Sequence, residues 1–498
     1  MARIAVIGAG MGAMAAAARL AVAGHRVVVY ERTGTYGGAL GVLERDGFAF
    51  DTGPGLVHLP AVWRDLFLKT GKEPLEECVG LVPVSPASRH LFADGTAVAL
   101  PDASRAGIVS ALETALGDGA GERWGDFLGR ARDAWDRSRR PLLEEPLWSD
   151  WRVLERDPYP APRRRAFLRT RQASTVAEVG AWELADPRLA ALFSWYALAY
   201  GLDPRHAPAS AALLPYLEQT FGTWYVEGGL RELARAVYDR CRKRRVEFVF
   251  DTEVVSIAVR DGRAAGLTLA DGTSVEADHV VAGADTAAGL AGRDLWADDD
   301  IRPLGPGLPG RFTVLLALRG AAGAGVAHRG VVHSPDPAAE AAAVFGGGLA
   351  DRPTVTVLRP RDPRTRPDDA HEAVTLTATV AGPDGTGPDW TDKALRERYA
   401  DVLIDTAAAD PGLGGAAALR ERLLWHEILT PAQTGTLPAP ALAGPGGRWL
   451  HPSNTTRLPG LHLVGGRSHP GGGLAHAGMS GALVAGLIVE GPGFQGSQ

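Results

Sequence analysis

Two glycine-dense turns stand at opposite ends of the chain, and each runs into a stretch that reads as a helix. The first is Gly8-Ala9-Gly10-Met11-Gly12-Ala13; the second is Gly465-Gly466-Arg467-Ser468-His469-Pro470-Gly471-Gly472-Gly473, followed by Leu474. Turns of this kind let backbone N–H groups approach an oxyanion, and the helix behind them adds its unpaired N–H groups and positive dipole end. In the first turn Gly8 permits the bend, Gly10 admits a pyrophosphate to the backbone, and small Ala13 lets helix pack on strand. Glu31, nineteen residues past Gly12, ends an expected second strand and is placed to accept hydrogen bonds from both ribose hydroxyls. A carboxylate there disfavours a 2′-phosphate. The first site therefore suits an adenosine dinucleotide, FAD or NAD, over NADP.

Four side chains could move a proton near such a site: His469 in the second turn, His476 at the head of the helix after it, His58 beyond the Gly53-Pro54-Gly55 turn, and Tyr196. Tyr200 is a fifth candidate of the same kind as Tyr196. His469 has an alternative role in shaping its loop, and His58 and the tyrosines could equally be satisfied core residues. His476 is expected to feel the positive end of the last helix, which lowers its pKa and leaves a neutral imidazole able to accept a proton. Cys78 and Cys241 allow no disulfide framework, no CxxC spacing is present, and no metal site is expected.

The elements that would carry these groups alternate in the βαβ manner at the start. A strand at Ala5-Val6-Ile7 leads into an alanine-rich helix (Ala13 to Ala23, stopped by Gly24) and a second strand from Arg26 to Glu31. The α/β style returns between Gly222 and Asp285, with a helix from Leu230 to Arg244 and strands Val246 to Phe250, Val254 to Val259, Ala265 to Leu269 and His279 to Ala282. The texture from Pro60 to Gln219 is helical and tryptophan-rich; longer strands at Phe312 to Leu318, Thr354 to Leu358 and Ala373 to Val380 predict a sheet layer. The tail from Gly491 is expected to be disordered. The fold class is α/β: a Rossmann-type dinucleotide domain assembled from residues 1–59, 221–310 and 441–498, with a mixed α+β substrate domain from 60–220 and 311–440.

FAD is favoured over NAD by Gly37-Gly38, which suits a longer dinucleotide, by the turn Gly53-Pro54-Gly55, and by the second glycine loop, which suits the flavin edge that gains negative charge on reduction. Met11, Arg32, Ala39 and Leu474 flank these turns and are included among the expected cofactor contacts.

At 498 residues, 45% hydrophobic and 22% charged, the chain has the composition of a globular protein with two domains. A formal charge of −6 gives no reason to expect nucleic acid. The apolar run from Met11 to Tyr30 is broken by Arg19, His25 and Arg26, so it does not read as a membrane span. The segment Trp148 to Arg171 mixes Trp148, Trp151, Tyr159 and Phe167 with Arg163, Arg164, Arg165, Arg169 and Arg171, a pattern that could seat the protein on an anionic membrane surface. A cytoplasmic location, with that contact on the inner face of the membrane, is the expectation.

The motifs together resemble the phytoene desaturase (carotenoid dehydrogenase) family of FAD-dependent, amine-oxidase-like oxidoreductases. The resemblance runs from the first glycine turn through Asp186-Pro187-Arg188-Leu189, the stretch WYVEGG ending at Gly229, and Thr430-Pro431, to Pro459-Gly460-Leu461-His462-Leu463-Val464-Gly465 and Ser468 to Gly473. It implies that Gly8, Gly10, Gly12, Glu31 and Gly38 hold the ADP half of FAD, that Val254 meets adenine through its backbone, and that Gly465, Gly466, Pro470, Gly472 and Gly473 hold the flavin end. It also implies removal of hydrogen from carbon–carbon bonds of an apolar polyene or isoprenoid. The chain departs from the family pattern at Ala39, where arginine is usual, at Gly466, and at His476, where a small residue is usual. His476 and the charges of the substrate segment raise a second reading, dehydrogenation or aromatisation of a smaller cyclic intermediate. A non-catalytic prenyl-binding escort protein is the third.

Overall fold

The computed structural model describes the chain apart from residues 167–168, 299, 303–306, 322, 324, 384–386, 438 and 497–498. Its first unit follows from the alternating apolar residues of strand β1 (Arg3–Ile7), the glycine turn, helix α1 (Met11–Val22) and strand β2 (Arg26–Tyr30). Helix α1 gives way at Gly24, whose φ of +89° only glycine adopts readily. Far downstream come helix α2 (Leu230–Lys243) and strands β3 (Glu247–Val249), β4 (His279–Ala282) and β5 (Leu461–Leu463). All five strands are parallel, in the order β3-β2-β1-β4-β5.

A parallel sheet must be covered on both faces. One face packs Ile4, Val6, Val27 and Val29 against the alanines of α1, Leu233 and Val237 of α2, and Val484 of helix α3 (Leu474–Val489). The other packs Ala5, Val280, Ala282 and Leu463 under a three-stranded antiparallel sheet, residues Val254–Arg260, Arg263–Leu269 and Ser274–Glu276. This is the Rossmann-type, FAD-binding fold, gathered from stretches of chain more than 400 residues apart at their extremes.

Helices α1 and α3 cross unusually closely because small residues face each other. A Cβ on Gly481 would lie 2.5 Å from the Gly12 carbonyl oxygen and 2.8 Å from the Ala16 nitrogen, and one on Gly12 would lie 2.8 Å from the Ala477 carbonyl oxygen. The start and the end of the chain are locked together there.

The remaining chain builds a seven-stranded sheet in the order Leu423–Leu429, Gly310–Arg319, His371–Val380, Val355–Leu358, Arg329–Val332, Ser88–Leu91, Ala97–Leu100. One face of its central strand (Phe312, Val314, Leu316, Leu318) packs on the helix Lys393–Ala407, while the opposite face sets Leu315 and Ala317 against Phe48 and Phe50. Helices Ala120–Arg139, Pro187–Ala199 and Leu213–Phe221 form a separate core around Trp124, Phe127, Phe193 and Tyr196.

The sequence reading missed several elements. The helical texture after Pro60 hides the strands Ser88–Leu91 and Ala97–Leu100, whose short alternation is outweighed by the helices around them. Val42–Arg45 and Phe48–Asp51 form a hairpin through Asp46-Gly47, both at positive φ, where only a closing turn was expected. The tail is not free: Gly491–Gly493 form a helical turn, and Phe494, 5% exposed, lies where a Cβ on Gly486 would be 2.3 Å from its ring.

The aromatic side of the Trp148–Arg171 segment is also turned inward. Trp151 and Tyr159 are buried; the Trp151 indole N–H donates to Asp298 at 2.6 Å and the Tyr159 hydroxyl to Glu183 at 2.7 Å. Trp148 is half-buried, and Phe167 lies outside the described residues. Among the described residues no helix is long and apolar enough to cross a membrane.

Replacing Gly481 with alanine is expected to force α1 and α3 apart, destabilising the fold by about 1–3 kcal/mol and weakening FAD retention with it. Thermal melting with and without added FAD measures both; an unchanged melting temperature would mean that the crossing is loose.

Candidate functional site

The carboxyl ends of β1, β2, β4 and β5 release Gly8, Glu31, Gly283 and Gly465 into one crevice at the place where the strand order reverses. Gly8 donates to the Tyr30 carbonyl at 2.8 Å, tying the first turn to β2. The Glu31 carboxylate accepts the Ala9 N–H at 2.7 Å through one oxygen, and the Thr33 N–H (2.9 Å) and hydroxyl (2.8 Å) through the other. Glu31 thus braces the turn while its remaining lone pairs face outward. A Cβ on Gly10 would meet no atom within 4 Å, so the space beside it is open.

The second glycine pair closes on the same spot. Gly37 donates to the Ala9 carbonyl at 2.8 Å, and a Cβ on Gly38 would lie 3.1 Å from the Gly10 Cα. Arg231 of α2 clamps this loop: its guanidinium donates to the Tyr36 and Leu40 carbonyls and lies 4.2 Å over the Tyr36 ring. Positive charge therefore reaches the loop from α2, not from position 39, where this chain carries alanine. Asp51 accepts the Leu230 N–H at 2.9 Å at the head of α2, and burial pushes its carboxyl up to about 6 against the pull of the backbone hydrogen bonds.

Two expected contacts take other roles. Gly12 faces Gly465 and Ala477 rather than the crevice, so it serves the helix crossing. The Met11 side chain is 6% exposed and belongs to the core, which leaves only its backbone for a ligand. Arg32 is exposed at the rim, and the Ala39 carbonyl sits 2.2 Å from where a Cβ on Gly53 would be, so Gly53 is required for that approach. Gly53 and Gly55, with Pro54 between them, border a cleft of about 530 Å³ shared with Tyr225, Gly228, His328, Leu358 and Thr375. Thr252 donates to the Glu31 carbonyl at 2.9 Å, which starts the strand of Val254 beside the acid; Val254 itself is buried.

The second turn is held by a residue that the sequence did not single out. Asn454, fully buried, donates through Nδ2 to the Leu463 carbonyl (3.0 Å), the His469 carbonyl (2.8 Å) and the Ser480 hydroxyl (3.2 Å). One amide thereby joins the end of β5, the turn and α3. Ser480 in turn accepts the Gly465 N–H at 3.1 Å, and Ala441 donates to the Pro470 carbonyl at 2.9 Å. Gly472 donates to the Ala439 carbonyl at 2.8 Å, and Gly473, at φ +101°, opens α3 ahead of Leu474. Gly465 and its neighbour Gly466 remain part-exposed, and a Cβ on Gly465 would meet nothing within 4 Å.

Three histidines gather behind this turn. His469 is sealed in: Nε2 lies 2.9 Å from the Glu145 carbonyl oxygen, and burial holds its pKa down at about 3. That geometry suits a loop brace and not a base in contact with substrate. His451 is equally buried, its Nε2 2.8 Å from the Ala439 carbonyl oxygen. His476 differs, because it stands on α3 at the wall of a cavity of about 330 Å³ lined by Trp135, Leu142, Leu143, Leu213, Leu217 and Leu442. Burial, and secondarily the nearby His451, lower its pKa to about 4. The direction is the expected one; desolvation, not the helix dipole, is its main cause.

His58 and Tyr196 meet at a carboxylate that the sequence reading overlooked. Glu218 lies 3.4 Å from His58 Nε2, accepts the Tyr196 hydroxyl at 3.0 Å, and is paired with Arg329, which donates to it through both terminal nitrogens. Burial alone would raise the Glu218 carboxyl, but the Arg329 guanidinium and these hydrogen bonds hold it at about 2. Burial and the Glu218 charge push the Tyr196 phenol well above its ordinary value, and burial lowers His58. Tyr196 is 1% exposed and already donates its proton, so it is a structural donor and not a base. Tyr200 has its phenol pushed above the usual range by burial as well.

Open space beside Gly10 and Gly465, two converging helix N-termini and a ribose-height acid fit FAD, and the comparisons with known proteins agree. The chain belongs to the flavin containing amine oxidoreductase family, whose model matches residues 14–489. It is an FAD-dependent oxidoreductase. Among its relatives are 4,4'-diapolycopene oxygenase of Methylomonas sp, 28% identical over 98% of both chains, and hydroxyneurosporene desaturase of Cereibacter sphaeroides, 29% identical over 98% of this chain and 97% of that one. A phytoene desaturase (neurosporene-forming) of Rhodobacter capsulatus is 29% identical over 99% of this chain and 95% of that one. Among solved structures, putrescine oxidase bound to putrescine superposes with a TM-score of 0.60 at 14% identity, covering 98% of this chain and 99% of that one. A RAB GDI from Plasmodium falciparum has a TM-score of 0.51 at 13% identity, covering 86% and 88%; both likenesses concern the fold alone.

Glu31→Gln is expected to weaken FAD retention by about 1–3 kcal/mol, because a neutral amide replaces charge-assisted hydrogen bonds. Equilibrium dialysis against FAD reads this, and unchanged affinity would restrict Glu31 to bracing its own loop.

Proposed function

We propose that the protein dehydrogenates carbon–carbon bonds of an apolar polyene or isoprenoid. The observation that carries this reading is the apolar cavity between the helices Ala120–Arg139 and Leu213–Phe221, which ends on the imidazole of His476 at the head of α3. The names and full-length similarity of the desaturase relatives support the same substrate class. The smaller-substrate reading drew on charges in the substrate segment, but the most deeply buried of these, Glu218 and Arg329, neutralise each other.

Gly8, Gly10, Glu31, Gly37 and Gly38 would hold the ADP half of FAD, and Gly465, Gly466 and Gly473 the flavin end. When bound, FAD supplies a two-electron acceptor at flavin N5. The leucines and Trp135 of the cavity exclude water and lay an apolar chain along the wall. His476, kept neutral by burial, accepts the proton lost from the carbon adjacent to the oxidised one, at an imidazole nitrogen facing the cavity. Contact with an anionic membrane, where such substrates dissolve, belongs to the same proposal; exposed Arg152, Arg156, Arg163, Arg164 and Val153 would carry it.

His476→Ala should fold and keep FAD but reduce flavin with substrate on the order of a hundredfold more slowly. Anaerobic stopped-flow absorbance measures this, and a variant reduced at the parent rate would make His476 a packing residue. In the parent the same rate should stay flat from about pH 9 to about pH 5 and fall only toward the lowered His476 pKa of about 4, since the ring gains its proton on the acid side. A titration near the ordinary histidine value would instead place an exposed base in the reaction.

A further inference from the structure

Deeply buried arginines in this protein are answered by carboxylates. Arg329 is paired with Glu218, Arg359 with Glu372 and Arg240 with Glu73. Arg311 is the exception. It begins the central strand Gly310–Arg319, and among the described residues no acceptor lies within hydrogen-bond reach of its guanidinium. A desolvated cation without a partner costs stability, so its retention calls for a ligand.

The strand alternation says where that ligand comes from. Arg311 shares a face with Thr313, Leu315 and Ala317, and the last two pack against Phe48 and Phe50 of the hairpin that leads into the Gly53-Pro54-Gly55 turn. Across the sheet Arg311 stands opposite Thr379, whose hydroxyl donates to the Leu198 carbonyl at the end of helix Pro187–Ala199. The phenol of Tyr200, just beyond that helix, interacts electrostatically with Arg311. The guanidinium therefore lies between the substrate helices and the cofactor side of the sheet.

We infer that Arg311 is a specificity-determining residue that binds a carboxylate at one end of an otherwise apolar substrate. This rests on the polyene reading and sharpens it: the preferred ligand is a polyene chain with one oxyanion end. A planar guanidinium holds a carboxylate by two parallel hydrogen bonds, while the hydroxyls of Thr313 and neighbouring Thr377 stand ready on the same face. Burial keeps Arg311 below the usual guanidinium value yet far above neutrality, so the cation persists at every working pH.

The test uses all-trans-retinoic acid and its methyl ester, matched in length and differing in charge, with binding to the FAD-loaded protein read by quenching of tryptophan fluorescence. The parent is expected to bind the acid about tenfold or more tighter than the ester. Arg311→Met should abolish that preference while leaving ester affinity and FAD content unchanged, and Arg311→Lys should restore part of it. A parent without preference for the acid overturns the inference, whatever the variants do. Equal weakening of acid and ester, or loss of FAD from Arg311→Gln and Arg311→Met alike, also overturns it by making Arg311 structural or cofactor-directed. Preference for the acid without any dehydrogenation would leave Arg311 assigned and defeat the desaturase reading; turnover of polyene hydrocarbons with no such preference would do the reverse.

Discussion

The site depends on the close crossing of α1 and α3. Gly12 and Gly481 have no side chains to hold the two helices apart, so the backbone of one meets the backbone of the other. Both helices begin at the carboxyl edge of the parallel sheet, and the crossing points both N-termini into the same crevice. A side chain at either glycine would separate the two dipole ends and, with them, the two halves of the cofactor site. Asn454 reinforces the arrangement with one amide that reaches β5, the second turn and α3 together. The chain can thus leave the cofactor fold twice to build a substrate region and still return to the same spot.

How much of this was legible follows from how local each feature is. The Gly8–Gly12 turn, Glu31 and the Gly465–Gly473 turn are written in contiguous residues whose types have one physical use, so sequence alone located them. Strands β2 and β4 fell within a residue of expectation for the same reason. Glu218 was invisible because its meaning lies in its partners: His58, Tyr196 and Arg329 are brought to it from separate parts of the chain. A glutamate in an amphipathic helix carries no mark of burial, although a lone acid amid Leu213-Leu214-Pro215-Tyr216-Leu217 could have prompted suspicion. Asn454 likewise looks like an ordinary loop residue until β5 and α3 close over it. Gly12 misled in the opposite way, since glycine needed for ligand approach and glycine needed for helix approach look the same in a motif.

The histidines show how environment separates like residues. His451, His469 and His476 stand close enough to disfavour one another's protonation, and burial lowers the pKa of all three. Two of them have a ring nitrogen against a backbone carbonyl and serve as braces. Only His476 combines that suppressed charge with a wall of an apolar cavity. Its chemistry comes from the space in front of the ring, which neither its sequence position nor its pKa alone conveys.

The same contrast orders the charges of the substrate region. An apolar cavity can tolerate buried ions only where they are neutralised, and Glu218 with Arg329 meets that condition while fastening His58 and Tyr196 into the helical core. Such a pair is internally complete and asks nothing of a ligand. Arg311 is not complete, and the difference lies in the backbone: it stands at the start of its strand, on the face turned toward the cofactor side, where the nearest elements offer hydroxyls and no carboxylate. Apolar walls, a neutral imidazole and one unanswered cation therefore form a graded surface, dry along its length and charged at one place. A uniform hydrocarbon would satisfy only the walls, whereas a chain with a single acidic end would satisfy both and be held in one direction.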